Sequence, residues 1–236
     1  MESFPCSSPV EKPPLDAYDT MITLNVGEPG KQKLFQVYRG VLCHYSDYFK
    51  TMLDSGFKEG WSKDLKITDV KLDLFQIFYD FINTGEIYLE ECNGYEDIWS
   101  VVIDAYEFAD FYLAQSFENR IVDLYLLIVE NLWEVPLSQA KEIYRITSEG
   151  SKLRKLNVDI LIEIWGFNSL EKYKSHWPHE FLSDILSQCH KVKAFPGSAS
   201  GLVTSKNVYF DGKKKTFCEN YHDHTKPEAR AAIVTE

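Results

Sequence analysis

The sequence predicts an α+β chain: a small mixed sheet capped by helices, followed by an all-α C-terminal region. Three observations carry this. Two short runs, MITLNVG from Met21 and KLFQVY from Lys33, alternate apolar and polar residues, the period of a half-buried strand. From Tyr95 to Trp133 apolar residues recur at spacings of three and four, the period of a helix. The helical spacing returns from Pro136 to Val192.

The elements follow in order. Residues 1–18 hold four of the nine prolines and no apolar period, so a flexible tail is expected. Glu28-Pro29-Gly30 is turn chemistry and joins the two alternating runs into a β-hairpin. Gly40 to Cys43 (GVLC) reads as a short apolar turn. Ser46 can cap a helix carrying Tyr48, Phe49, Met52 and Leu53, with Gly56 at its end. Leu65-Lys66-Ile67 is a short strand, and Thr68 or Asp69 starts a helix that Thr84-Gly85 ends. Glu86 to Leu89 follows as a short extended piece. A helical hairpin comes next, with one stripe from Ile98 to Ala109 and another from Leu113 to Leu132. Pro136 and Pro178 suit first turns of later helices, and Leu153 to Trp165 forms another. After Phe195, PGSASG has the composition of a linker. Asp211-Gly212 then suggests a small hairpin in a loosely ordered tail.

Composition narrows the function classes. The chain has 236 residues, 44% of them hydrophobic, enough for a real core. Its longest apolar stretch, Ile121 to Val129, is broken by Asp123 and is too short to span a membrane. The net charge is −11, and the excess sits between Glu86 and Glu134, where twelve acids face one base, Arg120. Such a balance repels phosphate backbones, so the main body is not expected to bind nucleic acid. The segment reads as a solvated helix face or as a surface for a basic partner. Five widely spaced cysteines, no CxxC and no signal peptide point to a reducing compartment, cytoplasm or nucleus.

Catalytic chemistry is not expected. GEPGK lacks the spacing of a phosphate loop, and neither G-x-S-x-G nor HExxH occurs. The acid pairs Glu90-Glu91 and Glu96-Asp97 read as solvated charge. His176-x-x-His179, Cys189-His190 and Cys218-x3-His222-x-His224 offer metal donors, but Cys218 with His222 makes only one plausible pair. No cofactor and no metal site are expected from these, and Cys43 reads as core.

One set of residues resembles a known family. ITLNVG, then LFQVYRGVLCHYSDYFKTML, SGFKEG, LKITD and FYDFINTGEIYL together resemble the BTB/POZ domain across residues 19–132. EIYRITSEGSKLRKLNVDIL resembles the helical segment that follows this domain in many fungal members. The expected layout is a tail over 1–18, a BTB/POZ domain over 19–132, a helical region over 133–195, and a linker with a loosely ordered tail over 196–236. The resemblance implies a non-catalytic protein–protein interaction module. Phe57-Lys58-Glu59 resembles the loop that cullin-3 adaptors set against the cullin, which would make the chain a ubiquitin-ligase substrate adaptor. The helices of 136–195 would then extend that contact or hold a substrate. The alternative is a self-associating scaffold, or a transcription-related protein, with no cullin partner. In homodimeric members an acid and a base form a charged pocket at the dimer interface. Arg39 matches the base, but Met21 stands where the acid usually is, with Asp19 two residues earlier. Tyr38 replaces the family's usual His.

Overall fold

Alternation along Met21–Val26 becomes strand β1, with Ile22, Leu24 and Val26 buried and the residues between them turned outward. A computed structural model describes Cys6 and residues 11–54, 64–89, 98–164, 170–193 and 205–224. The chain divides into two compact units, one built on residues 8–121 and one on residues 122–223 with 2–7.

In the first unit, β2 (Lys33–Tyr38) lies antiparallel to β1, with Leu24 opposite Phe35 and Ile22 opposite Val37. β3 (Asp64–Ile67) lies parallel to β1 on its other side, so the order is β2-β1-β3. Helices α1 (Arg39–Tyr45) and α2 (Asp47–Asp54) fall between β2 and β3. Helix α3 (Leu72–Thr84) brings aromatic rings to the sheet: Phe35 meets Phe75 edge-on at 4.8 Å and Tyr79 at 5.2 Å. Burying one such side chain contributes about 2 kcal/mol. A single turn hydrogen bond contributes about 1 kcal/mol. The aromatic cover, more than the turn chemistry, therefore holds the hairpin in place. Gly85 ends α3 at φ 76°, its N–H bonded to the Phe81 carbonyl.

Two local readings are corrected. GVLC is not a turn but the centre of α1, with Val41, Leu42 and Tyr45 buried. Gly40 is there for space: a Cβ on it would lie 2.4 Å from the Ala17 Cα, in a short 3-10 helix over Leu15–Tyr18. Helix α3 begins at Leu72, later than Thr68 or Asp69, because the Thr68 hydroxyl bonds to Asp69 and Lys71 is still extended. Glu86–Leu89 pairs with no strand of the described sheet, although Ile87 is buried.

The helical hairpin is α4 (Ile98–Phe111) and α5 (Gln115–Leu132), separated at Leu113, which adopts φ 50°. The division between the units falls inside α5. The second unit continues with a 3-10 turn at Leu137–Gln139, then α6 (Ala140–Ile146), α7 (Lys152–Ile164), α8 (Leu170–Tyr173) and α9 (His179–Val192). Trp177, just before α9, donates its indole N–H to the Leu137 carbonyl at 3.0 Å.

The expected C-terminal hairpin is absent. Its residues form α10 (Lys206–Lys215) and α11 (Phe217–Tyr221). Ser205 caps α10 by accepting from the Val208 N–H, and Phe210, Phe217 and Tyr221 are buried. Tyr209 and Lys213 both donate to Glu163 on α7. Burial of three aromatic rings outweighs the turn preference of Asp211-Gly212.

Two glycines should answer alanine substitution in opposite directions. Gly40→Ala should lower stability by about 1–3 kcal/mol through the clash with Ala17. Gly212→Ala meets nothing within 4 Å inside a helix, and should raise stability by about 0.5–1 kcal/mol. Urea unfolding midpoints check both.

Candidate functional site

Ser46 fixes the wall of an open groove in the first unit. Its Oγ accepts from the Phe49 N–H at 3.2 Å, capping α2, and donates to the Tyr112 carbonyl at 2.6 Å. That pair of bonds ties the start of α2 to the end of α4. Phe49 and Tyr112 then stack, with centroids 5.1 Å apart and planes 11° from parallel. Phe108 meets Tyr112 at 4.4 Å. β3 and the start of α3 close the far side with Leu65 and Leu74, giving a groove of about 1030 Å³.

The rim carries Lys66, Asp69, Lys71, Asp104 and Glu107. Lys71 and Asp104 form an ion pair at 2.7 Å. At the open edge Tyr48 is 37% exposed and Phe111 64% exposed, with their rings 5.8 Å apart. An apolar floor with exposed aromatics and a charged rim is the composition of a contact surface. The Tyr112 phenol is pushed up to about 12 by burial, then by Tyr48 and Asp69, so it stays protonated at neutral pH.

The residues singled out from sequence fall in different places. Phe57, Lys58 and Glu59 lie outside the described residues. The elements on either side of them, α2 and β3, both line the groove. Arg39 donates to the Asp54 carboxylate at 2.6 Å and to the Leu53 carbonyl at 3.2 Å, so its carboxylate comes from α2. Both partners are more than a third exposed, and the pair contributes about 1 kcal/mol at most. Asp19 is exposed at the end of the first 3-10 turn. His179 and His190 are exposed on α9, and Cys189 is buried there. Cys43 is half-buried. Cys218, His222 and His224 are gathered together, and Cys6 joins them, although it lies in the stretch read as a flexible tail. A pattern search along the chain could not find Cys6, because it lies 212 positions from Cys218.

Base should unfold the protein in a defined window. A phenol held above its ordinary value favours the folded state fully below about pH 10, and the advantage disappears as pH rises through about 12. Urea midpoints measured from neutral pH upward should fall across that window, and Tyr112→Phe should reduce the slope.

The BTB/POZ domain family matches residues 19–124. Human Kelch repeat and BTB domain-containing protein 7 is 34% identical over 65 residues, covering 28% of this chain and 10% of that protein. Mouse Kelch repeat and BTB domain-containing protein 4 is 26% identical over 154 residues, covering 65% of this chain and 26% of that protein. The chain thus matches from a tenth to about a quarter of the length of these relatives. Among solved structures, the BTB domain of zebrafish PATZ1 is 18% identical, with a TM-score of 0.33, over 47% of this chain and 75% of that one. No helix among the described residues is long and apolar enough to cross a membrane. With a mixed three-stranded sheet, its helical cover and a family match over residues 19–124, those residues form a BTB/POZ domain, a protein-interaction domain.

Proposed function

We propose that the chain is a substrate adaptor for a cullin-3-type ubiquitin ligase, docking the cullin through Phe57, Lys58 and Glu59 and making no bond itself. The observation that carries this reading is the apolar groove between α2, β3 and α4, because α2 and β3 are the two elements that flank Phe57-Lys58-Glu59. An aromatic side chain beside a charged one is the composition of an interface hot spot: the ring supplies buried area and the charge sets register. Tyr48 and Phe111 extend the apolar surface along the groove edge. The helices of the second unit are then available to hold a substrate.

Self-association is the competing reading. The side chain expected to drive it, Arg39, already has a carboxylate from its own chain in Asp54. No carboxylate from a second copy is needed to satisfy it, which favours the adaptor.

A pull-down with purified cullin-3 tests the proposal. The intact chain should capture the cullin, and a Phe57→Ala, Glu59→Ala double variant should lose at least about tenfold in affinity, given the more than about 1.4 kcal/mol expected from hot-spot truncation. Absence of cullin binding by the intact, folded chain would overturn the adaptor reading. A homodimer by light scattering together with that absence would make the chain a self-associating scaffold.

A further inference from the structure

Two cysteines and two histidines converge around the end of α11, and no part of the proposed docking function uses them. Cys218 lies on α11, and His222 follows at the position that ends the helix, its N–H bonded to the Cys218 carbonyl at 3.1 Å. A spacing of four places both side chains on one face. Cys6 comes to the same point from the other end of the chain. Its Sγ lies 3.4 Å from the Cys218 Sγ and 3.5 Å from His222 Nδ1. His224, tethered two residues beyond His222, supplies a fourth donor. All four donor atoms lie within 4.8 Å of one another.

Two of these separations suit a tetrahedral metal site. The cysteines are not joined as a disulfide: a bond would need about 2.05 Å between the sulfurs. In a tetrahedral zinc site, with bonds of about 2.0–2.3 Å, the edges between donor atoms run from about 3.3 to 3.8 Å. The Cys6–Cys218 and Cys6–His222 separations both fall in that interval. Two sulfurs and two imidazoles suit zinc and are wrong for magnesium or calcium, which take oxygen.

A second, independent feature points the same way. His222 Nε2 lies 2.7 Å from Asp123 Oδ1, with both side chains more than nine-tenths buried. A carboxylate that accepts from Nε2–H fixes the tautomer and leaves the Nδ1 lone pair facing the two sulfurs. This is the support that metal-bound histidines commonly have.

We infer that Cys6, Cys218, His222 and His224 bind one structural zinc ion, with Asp123 orienting His222. Four protein donors fill the coordination shell and leave no position for substrate or water, so the site is structural. Its role is to fasten Cys6 to α11, joining positions 212 apart in the chain. The inference does not rest on cullin binding, and its test does not involve cullin.

The test uses the full chain, purified without a histidine tag and passed through gel filtration. Elemental analysis should find about one zinc per chain, and the Cys6→Ser and Cys218→Ser variants should hold less than about a tenth of that. Cys43→Ser and Cys189→Ser should keep the full amount. Because a cysteine variant can lose zinc merely by failing to fold, the wild type is also exchanged into cobalt. Tetrahedral d–d absorption together with thiolate-to-cobalt charge transfer is expected. Asp123→Asn should retain folding, as read by far-UV circular dichroism, and weaken zinc about 10–100-fold against a competing chelator. Wild type with less than about a tenth of a zinc, in folded and monodisperse form, would overturn the inference. So would a Cys6–Cys218 disulfide found by mass spectrometry, or octahedral cobalt without charge transfer.

Discussion

A sheet of three short strands has too little area to make a core by itself, and the arrangement of residues 11–121 follows from that constraint. Leu24, Val26, Phe35, Val37, Leu65 and Ile67 present one apolar face. A sheet this small is marginal in water until that face is covered. Phe75, Phe78 and Phe81 on α3 supply the cover, and Phe108 and Phe117 on α4 and α5 back them with ring contacts of 5.0–5.3 Å. Fixing α3 and α4 on the sheet leaves α2 as one wall of an open channel. The groove is thus a by-product of packing a layer of rings against a short sheet, and its edge aromatics are the ones that layer could not absorb.

Where one residue type decides one local geometry, the sequence was a reliable guide. The hairpin, the Ser46 cap and the glycine stop at Gly85 each rest on a few neighbouring atoms, and all are present. The misreadings come from positions where distant packing overrules local preference. GVLC read as a short apolar turn; the actual constraint on its glycine, the Ala17 backbone, lies far away in sequence. Asp211-Gly212 looked like a hairpin turn because an Asp-Gly pair suits a type I′ turn. Phe210 and Phe217 instead belong to a helical core that no window of ten residues reveals. The groove was invisible for the same reason, since it is assembled from α2, β3 and α4.

The acidic segment shows the same difference between counting and folding. Read as a string, its excess of carboxylates suggests a uniformly charged, solvated face. In the folded chain several of those acids turn toward donors. Glu86 pairs with Arg120 at 2.9 Å, Asp104 with Lys71, and Glu130 with Lys214. Glu118 accepts from the Tyr106 hydroxyl at 2.9 Å and is only 3% exposed. Partnering of this kind is required wherever a carboxylate leaves water. The pairing leaves the net charge of −11 unchanged but neutralises the segment locally at these positions.

The parallel pairing of β3 with β1 has a kinetic consequence. β1 and β2 are joined by a short loop over residues 27–32 that contains a turn, so they can zip together within microseconds of collapse. β3 must pair Ile67 with Val26, about forty residues earlier, and closing so long a loop is entropically slow until α1 and α2 have shortened it. The hairpin with its partner rings should therefore nucleate, while the third strand docks late and leaves early. Amide exchange along Asp64–Ile67 would then be faster than along Met21–Val26, even though the two strands share one ladder.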